Sequence, residues 1–387
     1  MDEDVLVGYH VGAPALVHPR LEPHRCETRK ELPLTRHVQT RHARAFWVTE
    51  PGSGEVRDEP LPAPSSDQVL VRAAWSAVSR GTERLVWEGR VPADQRDAMR
   101  APFQAGDFPG PVKYGYLSAG VVEEGPDELV GRGVFCLHPH QTAYVVPVAA
   151  VVPVPDGVPL QRATLAGTVE TALNALWDCP PLVGDRIAVV GAGLVGCGLA
   201  RLLARTPGAS VTLVDVDPSR VAIAEALGVA FATPDRAPRE QDLVFHTSAS
   251  PAGLRAALGL LGTDGTVVEL SWYGDREVPL PLGSAFHSRR LTIRGSQVGG
   301  IPPTARPRWS RASRLALALD LLADDAFDVL LTGSSPFEDL PTVMKDLAAG
   351  SLGGIAHTID YGTGNPTDGD IDGVTPSGAD PGTPRST

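Results

Sequence analysis

A glycine-rich turn between an apolar run and a helix-like segment constrains the fold of this chain more than any other feature. Residues 186–190 are mostly β-branched and apolar, and Gly191, Gly193 and Gly196 follow with Gly-x-Gly-x-x-Gly spacing. The first glycine permits a tight turn, the second lets the backbone approach a pyrophosphate, and the third lets helix and strand pack closely. The pyrophosphate would lie at the positive end of the helix. The pattern predicts a dinucleotide site.

An acidic residue stands where such a site needs one. The apolar run 211–214 ends at Asp215, roughly 20 residues past the glycines. A carboxylate there accepts hydrogen bonds from the adenosine ribose and would repel a 2′-phosphate. Asp215 therefore favours NAD(H), with NADP(H) as the second choice.

Charge and hydropathy exclude several partners. The net charge of −12 argues against nucleic acid, and no apolar run approaches the roughly 20 residues that span a bilayer. The acidic N-terminus lacks the basic start of a secretory signal. The four cysteines are scattered without C-x-x-C spacing, as expected of free thiols in a reducing cytoplasm. We expect a cytoplasmic protein that acts on a small molecule.

The pattern of predicted elements changes near residue 163. Before it, strand-like runs separated by Gly and Pro cover residues 45–48, 68–75, 119–123, 133–137 and 142–146. After a helix at 164–177, strands and helices alternate up to about residue 293, which predicts a doubly wound parallel sheet. The fold class is therefore α/β, with a β-rich domain first. The segments 1–43 and 362–387 are expected to be disordered.

Several strings resemble the medium-chain dehydrogenase/reductase superfamily over roughly residues 45–361. Residues 67–72 resemble its early strand, 79–83 (Ser-Arg-Gly-Thr-Glu) its zinc-ligand loop, and 112–122 its Gly-His-Glu strand. Residues 336–340 and 350–352 resemble its closing helix and turn. Residues 78–83 and 167–176 are most similar to the branch that contains bacteriochlorophyllide a dehydrogenase.

The resemblance implies a division into domains and a partner. It predicts a GroES-like catalytic domain over 44–170, a Rossmann domain over 171–310, and a return segment over 311–361. It also implies a homodimer, since residues 291–293 resemble part of the family's dimer surface. Arg220 stands at a spacing where the family often contacts the adenosine ribose.

The zinc ligands of the superfamily's alcohol dehydrogenases are replaced in this chain. Arg80 stands at the cysteine of Cys-Gly-Thr-Asp-x-His, Tyr116 at the histidine of Gly-His-Glu, and Ala166 or Gly167 at the third ligand. Zn²⁺ needs thiolate, imidazole or carboxylate ligands, and a guanidinium repels it. The four-cysteine structural lobe is missing too. We predict that the protein binds no zinc.

Four residues are candidates for the reacting centre. Arg80 would supply positive charge in place of the metal, or would form a buried ion pair with Glu170 or Glu83. Thr82 matches the family's hydroxyl residue that touches the substrate oxygen, although the following relay histidine is Leu85 here.

The phenol of Tyr116 could donate a hydrogen bond to that oxygen, or the side chain could be an ordinary strand residue. Glu170 could act as a general base if burial raised its pKa, or could serve only as a helix N-terminal carboxylate. Residues 88–109, which are rich in arginine, would shape the substrate entrance. A separate metal site at Cys136, His138 and His140 is disfavoured by Pro139 and the single cysteine.

The sequence therefore predicts a zinc-independent oxidoreductase that transfers a hydride between NAD(H) and an alcohol or carbonyl. One alternative is an enone or quinone reductase of the same superfamily, in which weak carbonyl polarisation suffices. Another is a dinucleotide-binding protein without turnover, because all the metal ligands are lost.

Overall fold

The computed structural model describes residues 41–362, and the two predicted disordered segments lie almost wholly outside this range. The strands are β1 (Arg41–Glu50), β2 (Ser53–Leu61), β3 (Gln68–Ala77), β4 (Ala105–Gly106), β5 (Val112–Lys113), β6 (Ser118–Glu124), β7 (Gly133–Cys136), β8 (Ala143–Pro147), β9 (Val151–Pro153), β10 (Arg186–Val190), β11 (Ser210–Val214), β12 (Ala230–Ala232), β13 (Gln241–His246), β14 (Leu261–Glu269), β15 (Thr292–Gly295), β16 (Leu331–Pro336) and β17 (Ala356–Asp360).

The helices connect and cover these strands. They are α1 (Thr82–Trp87), α2 (Leu160–Ala163), α3 (Ala166–Asp178), α4 (Leu194–Leu203), α5 (Val221–Ala226), α6 (Pro251–Leu260), α7 (Arg311–Leu321) and α8 (Leu340–Ala349). Within residues 41–362, no helix is long and apolar enough to cross a membrane.

Three sheets organise the described chain. A six-stranded parallel sheet has the order β12-β11-β10-β13-β14-β15. A seven-stranded sheet has the order β16-β17-β3-β6-β7-β9, with β8 pairing β3, and a four-stranded sheet has the order β2-β1-β5-β4. The predicted α/β architecture, a GroES-like domain with a Rossmann sheet, is confirmed.

Local sequence explains the ends of the main elements. β10 is buried over four of its five residues, the continuous apolar pattern of a parallel strand covered on both faces. The Ser250 side chain caps α6 by accepting the Gly253 N–H, and Pro251 opens the helix. Gly350 ends α8 in the left-handed conformation (φ +76°), which glycine adopts without strain.

The first predicted boundary is wrong by three residues. Residues 41–43 belong to β1, where Arg41, His42 and Ala43 pair with Leu61, Pro60 and Glu59 of β2. This pairing was not predictable from the sequence, because β2 carries mostly polar residues and its side chains are mostly half-buried or exposed.

The main core joins the helices to both large sheets. One cluster of buried side chains includes Leu117 and Phe135 near the seven-stranded sheet, Val189 of β10, and Leu315 of α7. α3 packs against α4 and α7, so α7, which opens the predicted return segment, lies in the helical layer beside the parallel sheet. Only β16 and β17 of that segment join the seven-stranded sheet.

Candidate active site

The glycine turn opens onto free space at the start of α4. Gly191 has φ +112°, and a Cβ on Gly196 would lie 1.9 Å from the Gly191 carbonyl oxygen, so both positions require glycine. Gly193 precedes the first residue of α4, and a Cβ there would meet no atom within 4 Å. The space in front of the backbone N–H groups at the N-terminus of α4 is thus not filled by side chains. A pyrophosphate could bind there.

Asp215 and Arg220 lie on one side of this turn. Asp215 Oδ2 accepts the Ala192 N–H at 2.7 Å, and Oδ1 accepts the Asp217 N–H at 2.9 Å. Each carboxylate oxygen keeps a lone pair for a ribose hydroxyl. Arg220 pairs with Asp217 at 3.2 Å and reaches the Gly354 carbonyl at 3.5 Å. The predicted nucleotide-binding residues are therefore neighbours at the carboxyl edge of the parallel sheet.

A group of hydroxyls forms where the zinc ligands stand in related chains. The Tyr116 phenol donates to Ser79 Oγ at 2.7 Å. Burial raises the pKa of Tyr116, the Glu83 carboxylate adds to this, and hydrogen bonds with Ser79 and Thr82 oppose it. Tyr116 therefore stays protonated at neutral pH and can act as a donor. We call Ser79, Thr82 and Tyr116 the hydroxyl cluster.

A buried carboxylate–imidazole pair supports the cluster. Glu83, 3% exposed, accepts the Ser79 N–H at 2.8 Å, and its second oxygen lies 2.9 Å from His140 Nε2. His140 Nδ1 lies 2.7 Å from Ser76 Oγ, which is 3.0 Å from the Tyr361 hydroxyl. The sequence offered no signal for this pair, because Glu83 and His140 stand 57 positions apart without a motif.

Arg80 does not pair with either predicted carboxylate. It donates to the carbonyls of Leu352 and Gly353, the second at 3.0 Å. Burial lowers the pKa of Arg80, and the charges of Arg220 and Arg84 lower it further. Arg80 and Arg220 thus approach the same loop after α8. The alternative in which Arg80 forms an ion pair with Glu170 or Glu83 is not observed in the described residues.

Glu170 instead forms an ion pair with Arg314. Arg314 Nε lies 3.0 Å from Glu170 Oε1, and both side chains are buried. The same guanidinium donates to Asn174 Oδ1 and to the Val298 and Gly300 carbonyls. Burial raises the pKa of Glu170, while the Arg314 charge opposes this. The carboxylate therefore joins α3 to α7 and to the loop after β15.

His138, a member of the metal site that the sequence disfavours, is stacked on an aromatic ring. The His138 ring lies 3.8 Å from the Tyr144 ring at 10°, and burial lowers its pKa to about 3. Among residues 41–362, no group of three or more His, Cys, Asp and Glu side chains could hold a metal ion. Arg80, Tyr116 and the Ala166–Gly167 pair are not a donor set for Zn²⁺.

Part of the chain matches a known family model. Residues 195–318 match the model described as zinc-binding dehydrogenase. The NADP-dependent alcohol dehydrogenase C 1 of Mycolicibacterium smegmatis is 32% identical over 173 residues, which are 42% of this chain and 48% of that protein. The D-guloside 3-dehydrogenase of Escherichia coli is 24% identical over 306 residues, 71% of this chain and 84% of that protein.

The solved L-idonate 5-dehydrogenase of E. coli superposes with a TM-score of 0.68 at 16% identity, covering 84% of this chain and 99% of that one. The family-model match, these relatives and the shared fold support the resemblance to the medium-chain dehydrogenase/reductase superfamily. The chain spans about half the length of the first curated relatives that it matches. The closer resemblance to the bacteriochlorophyllide branch stays a prediction.

Proposed function

We propose that the protein is a zinc-independent, nicotinamide-dependent oxidoreductase that interconverts an alcohol and a carbonyl compound. The observation that carries the proposal is that the glycine turn is open at Gly193, in a chain whose β-rich first domain bears the hydroxyl cluster. The names of the relatives, which are alcohol and polyol dehydrogenases, support this class of reaction.

The bound dinucleotide would supply or accept the hydride. In the direction of reduction, the hydride adds to the carbonyl carbon and a proton must reach the oxygen. On this proposal the Tyr116 hydroxyl, held protonated by burial, turns from Ser79 Oγ to donate its hydrogen bond to the developing alkoxide, and Thr82 lies beside it. Glu83 fixes the Ser79 backbone, and His140 fixes Glu83. These two are positioning residues.

Arg80 and Arg220 would bind the cofactor rather than polarise the substrate. Both guanidiniums approach carbonyls of the Leu352–Gly354 segment, and only Arg220 has a carboxylate partner. A cluster of positive charge favours an anion, and the phosphates of the dinucleotide are the anions that the glycine turn predicts. Asp215 keeps NAD(H) as the preferred cofactor, because its carboxylate would repel a 2′-phosphate.

The oligomeric state, the location and the alternative reaction rest mainly on the sequence. The homodimer is supported by the position of β15 at one edge of the parallel sheet, and size-exclusion chromatography with light scattering would test it. The cytoplasmic location stays a prediction. The enone reductase remains the second candidate because neutral hydroxyls polarise a carbonyl only weakly.

The test combines binding, metal content and turnover. Fluorescence titration with NADH and NADPH is run on purified protein of measured zinc content, followed by a screen of ketones, aldehydes and enones. Tyr116→Phe should lower kcat about 100-fold and leave NADH binding unchanged. The matched control is Tyr114→Phe, which removes a neighbouring phenol that donates to the Met99 carbonyl.

Equal effects of the two Tyr variants would contradict the role of Tyr116. Stoichiometric zinc would contradict zinc independence. Turnover of enones alone would favour the second candidate, and nucleotide binding without any turnover would favour a non-catalytic protein.

A further inference from the structure

A second acid–histidine pair, with a buried imidazole and a partly buried carboxylate, lies in the parallel sheet, outside the hydroxyl cluster. His246, the last residue of β13, is fully buried. Its Nδ1 lies 2.8 Å from Glu269 Oε2 at the end of β14, and its Nε2 lies 2.7 Å from Ser248 Oγ. We call Ser248, His246, Glu269 and Tyr273 the His246 network.

The network ties together the turns that follow these two strands. Glu269 accepts the Ser271 N–H at 2.7 Å and the Tyr273 hydroxyl at 3.2 Å. Ser271 Oγ in turn accepts the Ala249 N–H at 3.0 Å. The segments 247–250 and 270–274 are therefore held in one arrangement.

The order serine–histidine–carboxylate is also that of a nucleophilic triad, but the surroundings argue against that chemistry. The Ala249 N–H, which would stabilise an oxyanion, is already used by Ser271. Ser248 Oγ faces the first turn of α6, and a Cβ on Gly253 would lie only 2.2 Å from it. A carbonyl carbon has no room to approach on that side.

The network adjoins the glycine turn on the side opposite Asp215. Thr247 Oγ1 donates to the Gly191 carbonyl at 2.9 Å, and the Ser248 nitrogen lies 2.8 Å from where a Gly191 Cβ would be. β13 and β11 flank β10 on opposite sides. A dinucleotide with its adenosine at Asp215 therefore places its nicotinamide nucleoside over the ends of β13 and β14.

The turn after β14 also touches the segment that follows the hydroxyl cluster. A Cβ on Gly274 would lie 2.8 Å from the Arg90 carbonyl and 3.0 Å from the Leu85 side chain of α1. Arg90 pairs with Asp275 at 2.5 Å. The position of this turn therefore affects the position of α1, which begins at Thr82, relative to a nucleotide bound at the glycine turn.

We propose that His246 and Glu269 are positioning residues for the nicotinamide half of the cofactor: they hold the turns 247–250 and 270–274 beneath it. This inference rests on the proposed function. It assigns to the network a role in distinguishing the full dinucleotide from its adenosine half.

The test compares NADH with ADP, which carries only the adenosine and diphosphate. Glu269→Gln should weaken NADH binding about tenfold and leave ADP binding within about twofold. Tyr273→Phe and Ser248→Ala, which remove single hydroxyls and endanger the fold less, should give smaller losses that are again confined to NADH. The control is Glu240→Gln, which breaks the exposed pair with Arg289 just before β13 and should change neither affinity.

Equal losses of affinity for NADH and ADP would show that the network is merely structural and would overturn the inference. Unchanged NADH affinity in Glu269→Gln and in both milder variants would overturn it as well. If Glu269→Gln does not fold, the two milder variants decide the question in the same way. A wild-type protein that binds neither NADH nor NADPH would instead overturn the proposed function itself.

Discussion

The buried pair of Glu170 and Arg314 gives the sharpest test of how the site is built. Arg314 is 1% exposed and Glu170 is 5% exposed. Truncating either partner of such a pair costs about 3–5 kcal/mol, because the other charge is left buried without compensation. Glu170→Leu and Arg314→Met should therefore each lower the free energy of unfolding by about that amount.

The double variant should cost clearly less than the sum of the two. With both charges gone, the remaining penalty comes from the Asn174 side chain and the Val298 and Gly300 carbonyls, which lose the Arg314 donor. A coupling energy of about 2 kcal/mol is in the range found for contacting residues.

Urea denaturation at pH 7, followed by circular dichroism, measures each free energy of unfolding from midpoint and slope. Glu123→Leu is the control, because the Arg72–Glu123 pair is largely exposed and such pairs contribute at most about 1 kcal/mol.

Two results would refute this reasoning. Additive losses would mean that Glu170 and Arg314 do not act as a pair. A Glu170→Gln variant with unchanged stability and abolished turnover would restore Glu170 as the general base that the sequence suggested.

Three further predictions follow from individual positions. Arg80→Gln should weaken NADH and ADP binding alike and leave kcat at saturating NADH nearly unchanged, whereas a fall in kcat alone would return Arg80 to the substrate. Burial lowers the pKa of His138 to about 3, so between about pH 6 and pH 4 the unfolded chain binds a proton that the native state does not. As the pH falls through this range, the free energy of unfolding of the wild type should drop by up to about 1.4 kcal/mol per pH unit more than that of His138→Phe. Parallel plots of the two free energies against pH would contradict this. Gly193→Ala should fold normally but lose NADH binding, because a Cβ there meets no protein atom within 4 Å. Gly196→Ala should destabilise the fold, because its Cβ would lie 1.9 Å from the Gly191 carbonyl oxygen. Thermal melting curves and NADH titration compare the two variants.

Periodicity predicted the elements well where a strand is buried along its length or a helix buries one regular face. The strand expected at 242–246 is observed as Gln241–His246, and the helix expected at 340–348 as Leu340–Ala349. Short elements with mixed polarity gave no such signal. β2 and the six-residue helix α1 are set by pairing and packing with distant segments, which one local pattern does not encode.

The geometry of the glycine turn was predictable because the residues that form it stand close together in the sequence. The glycines act through backbone geometry, and Asp215 follows at the end of the next strand, so spacing along the chain fixes where these residues lie. The partners of Arg80 and Glu170 were not predictable. They depend on Leu352, Gly353 and Arg314, which reach the site from more than 140 positions away.

This difference bears on the proposal that the protein works without zinc. Arg80 occupies a ligand position in the sequence, yet its guanidinium reaches the loop after α8, and the space near Tyr116 is organised by Ser79, Glu83 and His140. A long side chain carries its charge away from its own Cα, whereas a hydroxyl or a short carboxylate acts close to it. In the proposed zinc-independent enzyme, neutral donors fixed by the buried Glu83–His140 pair would therefore serve the substrate oxygen, while the permanent charge of Arg80 would serve the nucleotide.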